Sequence, residues 1–416
     1  MPAALASTSS APYRVAITGA GIITSMGTGW RSNADGFKDG RLAFRPISLF
    51  DTSRQRVGRG GEVIFDQPLP ATCLSPRQLS RLDRASRLLL YAGAEALTQS
   101  GWSDCEKDGS LPVVLGTSAG AMGVGESYYK ARTDRPESLK NRATEAHTYQ
   151  PQTQGRILSD ALGINGRITI IANACASGAN ALGHAYHLVR SGRSPRALAG
   201  GYDALAQMVF AGFDSLQALS TTLPRPFDAH RDGLALGEGA ALVTLERWDD
   251  AVGRGADIIA EIAGYGAATD VHHLTQPHPN GDAAVLSMTR ACQEARLSPS
   301  DIGYINSHGT GTPLNDAAEG LAIQRWAGAH VGDIRVSSTK GAIGHLLGGA
   351  GAVEAVICLM TLREDFVPPT ASVETPDPVC TFDLILQARE VKLRAVLTNS
   401  FGFGGANASL IFKTAA

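Results

Sequence analysis

The sequence predicts an α/β fold made of two similar halves. Three observations carry this reading. Short apolar, β-branched runs end in Gly, Ser or Thr and are followed by helical patterns, as buried strands alternating with helices are. The 47 glycines gather at the ends of these runs rather than in a linker. Finally, the order of motifs in the first half returns in the second, with different spacings.

In chain order, the strand-like runs are 15–19, 113–116, 168–172, 240–245, 302–306 and 334–338. The run 112–118 leads to 168–175 and a Gly/Ala-rich helix; 303–310 leads to 334–340 and a second such helix. Each half offers one further strand-like run. The polar stretch 246–257 is the natural seam, giving halves of 13–252 and 253–416 behind an unstructured Ala/Ser-rich lead-in, 1–12. Residues 126–154 are polar with little periodicity and are expected to be an insertion over a face or an oligomer contact. The segment from Ile17 contains G-x-G after a strand but has Thr24 where a dinucleotide site needs its third glycine. Tight strand–helix packing is the better account.

Composition narrows the function. The 416 residues are 44% hydrophobic and 18% charged, which suits a large packed core and excludes a disordered chain. A net charge of −2 argues against a nucleic-acid binder. No apolar run is long enough for a membrane span, and the N-terminus lacks a signal-peptide pattern. The six cysteines, at 73, 105, 175, 292, 358 and 380, form no C-x-x-C pair. A reducing cytoplasm without structural zinc is expected.

One cysteine stands apart. Cys175 ends the run 168–172 and precedes a helix whose Ala181, Leu182, Ala185, Tyr186 and Val189 keep helical spacing. A thiol at a helix N-terminus is expected to fall from about 8.5 toward neutrality. The small neighbours Ala174, Ala176, Ser177 and Gly178 leave room for a carbonyl. For the other cysteines, a buried structural role is the better reading. His308 and His345 also follow strand-like runs, among glycines and small residues. A lone histidine is usually a satisfied core or surface residue; two at equivalent strand ends, with a thiol at a third, suggest one site.

These motifs make the chain resemble the β-ketoacyl-(acyl carrier protein) synthases of the elongating, Cys-His-His type, over residues 13–412. Cys175 matches the family nucleophile. His308, in H-G-T-x-T-P, and His345, in S-x-K-x-x-x-G-H, match the two family histidines. Lys340 and Glu354 match a paired lysine and glutamate, and Asp316 an acidic residue after the first motif. Phe401 and Phe403 lie in the segment matching the glycine-rich gating loop, with Phe403 as the gate. The resemblance implies a thiolase-like fold with two α/β halves in an αβαβα arrangement. It also implies decarboxylative condensation of an acyl thioester on Cys175 with malonyl-acyl carrier protein. The backbone N–H groups of Cys175 and Phe403 would hold the oxyanion, and Thr310 and Thr312 the pantetheine arm. No metal or organic cofactor is implied; substrates arrive on the phosphopantetheine of an acyl carrier protein.

The resemblance further implies a dimer paired through the strand around 168–172, either a homodimer or a heterodimer with a Cys-less chain-length-factor homologue. Ala119 matches a position at the floor of the acyl pocket that often carries a bulky aliphatic. A thiolase would need a C-terminal C-x-G cysteine, an initiating synthase an Asn at 345, and a chain-length factor would lack Cys175; the sequence has none of these features. Other features have plainer readings. His272, His273 and His278 resemble a second gating loop rather than a metal cluster. His184 and His187 suit a helix face. Arg77, Arg81, Arg84 and Arg87, at helical spacing, read equally as a solvated face and as a carrier-docking face. Gln217 stands where fatty acid synthases of this type often carry arginine.

Overall fold

A computed structural model describes residues 11–102, 110–134 and 143–415. Most of the lead-in, Cys105 and part of the 126–154 stretch lie outside the described residues. In the first half, the strands Val15–Thr24, Gly239–Arg247, Arg196–Asp203, Val113–Gly116 and Ile168–Ile171 lie side by side in that order. In the second half, Ala260–Thr269, Ala406–Thr414, Ala395–Phe401, Tyr304–Asn306 and Arg335–Ser337 repeat the order, with Asp383–Leu384 added at the edge. Both halves have two antiparallel ladders followed by two parallel ones. The weak sequence repeat is therefore a topological duplication. The two first strands pair antiparallel where Val15 meets Ile262 and Ile17 meets Ala260, joining the halves into one sheet system.

Helices complete the layers. Arg84–Ser100 and Pro151–Leu162 cover the outer face of the first half, and Asp282–Ala295 and Pro313–Ala327 that of the second. Ser177–Arg190 and Ala350–Arg363 fill the middle, each touching strands of both halves. The latter is buried from Ala350 to Leu362, so it is apolar on every side except at Glu354 and Thr361. The N-terminal ends of the two middle helices touch through small residues. A Cβ on Gly178 would come within 2.8 Å of the Ala352 nitrogen, and one on Gly351 within 2.8 Å of the Ala179 nitrogen. This contact draws the loops after both helix-feeding strands to one place.

The G-x-G segment is strand throughout. A Cβ on Gly19 or Gly21 would collide with the Ala96 or Ala92 carbonyl of the Arg84–Ser100 helix, at 2.1 and 2.0 Å. The 126–154 stretch is largely helical where described, as Met122–Asp134, Ala143–Thr148 and Pro151–Leu162. Its Glu126 carboxylate accepts the N–H groups of Gln207 and Met208, at 3.1 and 2.6 Å, and so caps the helix Gln207–Ser215. The arginine run is not one helix face. The short helix Pro76–Leu79 ends before Asp83, whose side chain caps the Arg84–Ser100 helix by accepting from Ser86 N–H. Arg77 and Arg81 are exposed, but Arg84 pairs with buried Glu238 at 2.7 Å and Arg87 stacks on Phe65 at 4.0 Å. Among the described residues, no helix is long and apolar enough to cross a membrane.

Candidate active site

The carboxyl ends of the strands in both halves converge on a cavity of about 370 Å³. Cys175, His308, His345, Thr310, Thr312, Phe401 and Phe403 all line it. They come from loops and strand ends far apart along the chain.

Cys175 is displayed by a sharp strand-to-helix turn. Ala174 is left-handed, with φ 56°. Ser177 Oγ closes the turn, accepting from the Asn173 N–H at 2.9 Å and donating to the Ala174 carbonyl at 2.6 Å. The helix proper begins at Ser177, leaving Cys175 just ahead of it. The thiol is not lowered as the sequence suggested. Burial pushes it up to about 12, against the Lys340 charge and the Phe403 N–H directed at the sulfur. The desolvation of a thiolate outweighs the helix end, so the resting group is SH. Gly402 lies flat against the nucleophile; a Cβ there would be 3.2 Å from the Cys175 nitrogen. Gly402 thus brings the backbone of the Phe403 loop against Cys175, with the Phe403 N–H at the sulfur.

The His308 and His345 rings meet edge to face, 5.4 Å between centroids. Burial, then the nearby Lys340 charge, holds both well below the usual histidine range, so both are neutral. His345 Nδ1 accepts the Leu347 N–H at 3.2 Å. Its proton therefore sits on Nε2, as a hydrogen-bond donor. Phe401 packs against His308 at 5.6 Å. Lys340 and Glu354 form a fully buried ion pair. Burial pushes the Glu354 carboxyl up to about 7, and Lys340 opposes this.

The loop carrying His308 is pinned by two carboxylates three residues apart on the Pro313–Ala327 helix. Asp316 accepts the N–H of Thr310 at 3.0 Å, of Gly311 at 3.1 Å and of Phe227 at 2.8 Å. Glu319 accepts the N–H of His308 at 2.8 Å and of Gly309 at 2.7 Å, and burial pushes it up to about 7. Sequence reasoning missed Glu319; its spacing from Asp316, just after H-G-T-x-T-P, was the available signal. Thr310 and Thr312 face the cavity with hydroxyls 2.8 Å apart.

The gating segment has a partner. Gly404 N–H donates to the Leu274 carbonyl at 2.7 Å and Asp270 N–H to the Gly405 carbonyl at 2.8 Å. The histidine-rich loop thus seats on the Phe403 loop, and His273 lines the cavity. Asp270 organises that loop by accepting the N–H of His272 and His278. Among the described residues, no group of three or more His, Cys, Asp or Glu is arranged to hold a metal. Phe403 is 40% exposed and stacks on Phe213. Gln217 lines the cavity mouth. His184 and His187 are exposed on their helix, and His187 packs against Tyr186 and Tyr265. Ala119 is not on the cavity wall of the single chain. It sits behind the wall in an apolar cluster with Phe210, Leu347 and Met122; Phe213 packs against the cluster and also faces the cavity.

Comparison with known proteins shows the family. Residues 13–251 match the family described as beta-ketoacyl synthase, N-terminal domain, and residues 259–374 the corresponding C-terminal domain. The chain is 37% identical to the 3-oxoacyl-[acyl-carrier-protein] synthase 2 of Synechocystis sp., over 96% of this chain and 98% of that one. It is 36% identical to the putative polyketide beta-ketoacyl synthase 1 of Streptomyces cyaneus, over 96% and 97%. The solved ishigamide ketosynthase/chain length factor superposes with a TM-score of 0.92 at 32% identity, over 98% of this chain and 100% of that one. The two domain matches together cover most of a chain with a duplicated, thiolase-like fold, and this chain belongs to the β-ketoacyl synthase family.

Proposed function

We propose that the chain condenses an acyl thioester with malonyl-acyl carrier protein to give β-ketoacyl-acyl carrier protein. The observation that carries this reading is the pair of neutral imidazoles sharing one cavity with Cys175. In the first step, the Cys175 sulfur attacks the acyl thioester; the new S–C bond replaces the carrier's, and the thiol proton passes to the departing pantetheine sulfur. In the second, the malonyl C–CO₂ bond breaks and CO₂ leaves. Its electrons form an enolate whose oxygen accepts hydrogen bonds from His308 and from the His345 Nε2–H. In the third, the enolate carbon attacks the acyl-Cys175 carbonyl, the oxyanion takes the Cys175 and Phe403 N–H groups, and the thiolate leaves and takes one proton from water to restore the resting thiol. No cofactor beyond the carrier's phosphopantetheine enters this scheme. Incubation with acyl and malonyl carrier proteins should yield β-ketoacyl carrier and one CO₂ per condensation. Failure to form it across a panel of acyl chains would overturn the reading.

The 3-oxoacyl-[acyl-carrier-protein] synthase 2 and the putative polyketide beta-ketoacyl synthase 1 are 37% and 36% identical, and the same condensation serves fatty acid, polyketide and polyene synthesis. A paired working unit fits the edge strand Ile168–Ile171, whose residues are all only half-buried in the single chain. The partner is a second copy or, as the name of the ishigamide enzyme indicates for that protein, a chain length factor. Light scattering at micromolar concentration should report a dimer; a fully active monomer would sink this proposal. The five described cysteines are all free, which supports a reducing, cytoplasmic setting.

Ala119 is read as setting acyl length from behind the cavity. Ala119→Phe should block long acyl chains while sparing short ones, because added volume in a packed cluster costs about 1–3 kcal/mol. An unchanged chain-length profile would show that the cluster does not open to the acyl chain.

A further inference from the structure

Asp203 ends the strand Arg196–Asp203 and is fully buried, yet no step of the condensation uses it. Its carboxylate collects donors from two loops of different halves. Oδ1 accepts the Thr117 hydroxyl at 2.6 Å and the N–H groups of Ala119 and Gly120 at 2.8 and 2.5 Å, with Ser118 N–H shared between both oxygens. Oδ2 accepts the N–H of Gly348 at 2.6 Å. The first loop carries Ala119. The second follows His345, and its geometry is strained: Leu347 is left-handed, with φ 50°, which a leucine seldom adopts. In that turn, successive N–H groups point in two directions, Leu347 N–H to His345 Nδ1 and Gly348 N–H to Asp203. The loops are also in direct contact; a Cβ on Gly348 would lie 2.5 Å from the Ser118 nitrogen.

We infer that Asp203 is a positioning residue: it holds the 347–348 turn so that His345 stays in its Nε2–H form, aimed at the enolate, and it ties that turn to the Ala119 loop. The inference rests on the proposed condensation. Burial pushes Asp203 up to about 6, and the donors around it favour its ionised form in return.

The test is Asp203→Asn. The hydroxyl and N–H groups on the Oδ1 side demand an acceptor, so the amide oxygen settles there and the NH₂ faces Gly348 N–H. The substitution therefore cuts the His345 arm and spares the Ala119 arm. Decarboxylation of malonyl-acyl carrier protein should fall about tenfold or more, since small misplacements of a catalytic donor are costly. Acyl loading of Cys175 should stay within about threefold of wild type, because loading does not use the imidazole donor. Selectively ¹⁵N-labelled histidine should show His345 passing from a single Nε2–H tautomer to a mixture. Unchanged decarboxylation with an unchanged tautomer overturns the inference, as does an equal fall in loading and decarboxylation, which marks a merely structural role. If the variant does not fold, the wild-type protein decides: an Nδ1–H His345, or a Gly348 amide that exchanges as fast as an exposed loop, overturns the inference. A slowly exchanging Gly348 amide with Nε2–H supports it. Wild-type protein that neither loads nor decarboxylates would defeat the condensation reading instead, while the tautomer spectrum would still report on Asp203.

Discussion

Cys175→Ala should abolish acyl loading and condensation, by about 10³-fold or more, because among the described residues no other thiol lines the cavity. The protein should still fold, since the exchange removes one sulfur from a site lined by small residues. Decarboxylation of malonyl-acyl carrier protein should persist, because in the proposed mechanism the imidazoles, and not the thiol, hold the enolate. Loading wild type with a carrier-bound acyl group, followed by peptide mass analysis, should place the label on Cys175. The alternatives are poorly placed. Cys292 and Cys358 are buried within helices, with their thiols pushed up by burial. Cys73 is exposed and away from the cavity. A label on any other cysteine, or continued condensation by the variant, would falsify the nucleophile assignment.

His308→Ala and His345→Ala should each lower decarboxylation and condensation by about 10²–10³-fold, the cost of deleting one donor to a developing oxyanion in a water-poor site. Self-acylation of Cys175 should survive in part, since the proposed mechanism holds the thioester oxyanion with backbone N–H groups. Burial keeps both rings neutral, holding them well below the usual histidine range. They therefore contribute no acid limb near pH 6.5, and the rate on their account is flat from there upward. Near-wild-type condensation by either variant, or loading lost as completely as condensation, would show that the histidine in question does not act by stabilising the enolate.

Much of the site was legible in order along the chain. The strand–Cys–helix pattern at 168–190 and the two histidine motifs are local signals, written in hydrophobic period, small residues and breaks. The folded protein places all three side chains on one cavity. Asp203 was not legible, and Glu319 only through its spacing from Asp316. Both are single acidic residues in or beside apolar runs. Glu319 takes backbone N–H groups about ten residues away; Asp203 takes them from loops about 85 residues before it and 145 after. A backbone N–H has no signature in the sequence, because every residue but proline carries one. The arginine run misled for a related reason: its spacing suits one helix, but Asp83 captures Ser86 N–H and starts a new one.

What the sequence by itself determined is the α/β class, its duplication and the chemical types at the strand ends. These follow from periodicity and from which residues tolerate tight turns, both of which act over a few neighbours. Only the tertiary structure decided how those ends meet. Gly178 and Gly351 bring two helix N-termini into contact, Leu347 is held in a left-handed turn, and the surrounding burial decides the protonation of the thiol and both imidazoles. Desolvation keeps the imidazoles neutral and the Cys175 thiol protonated at rest. Desolvation depends on what surrounds a group on all sides, and for these residues most of that surrounding comes from distant parts of the chain.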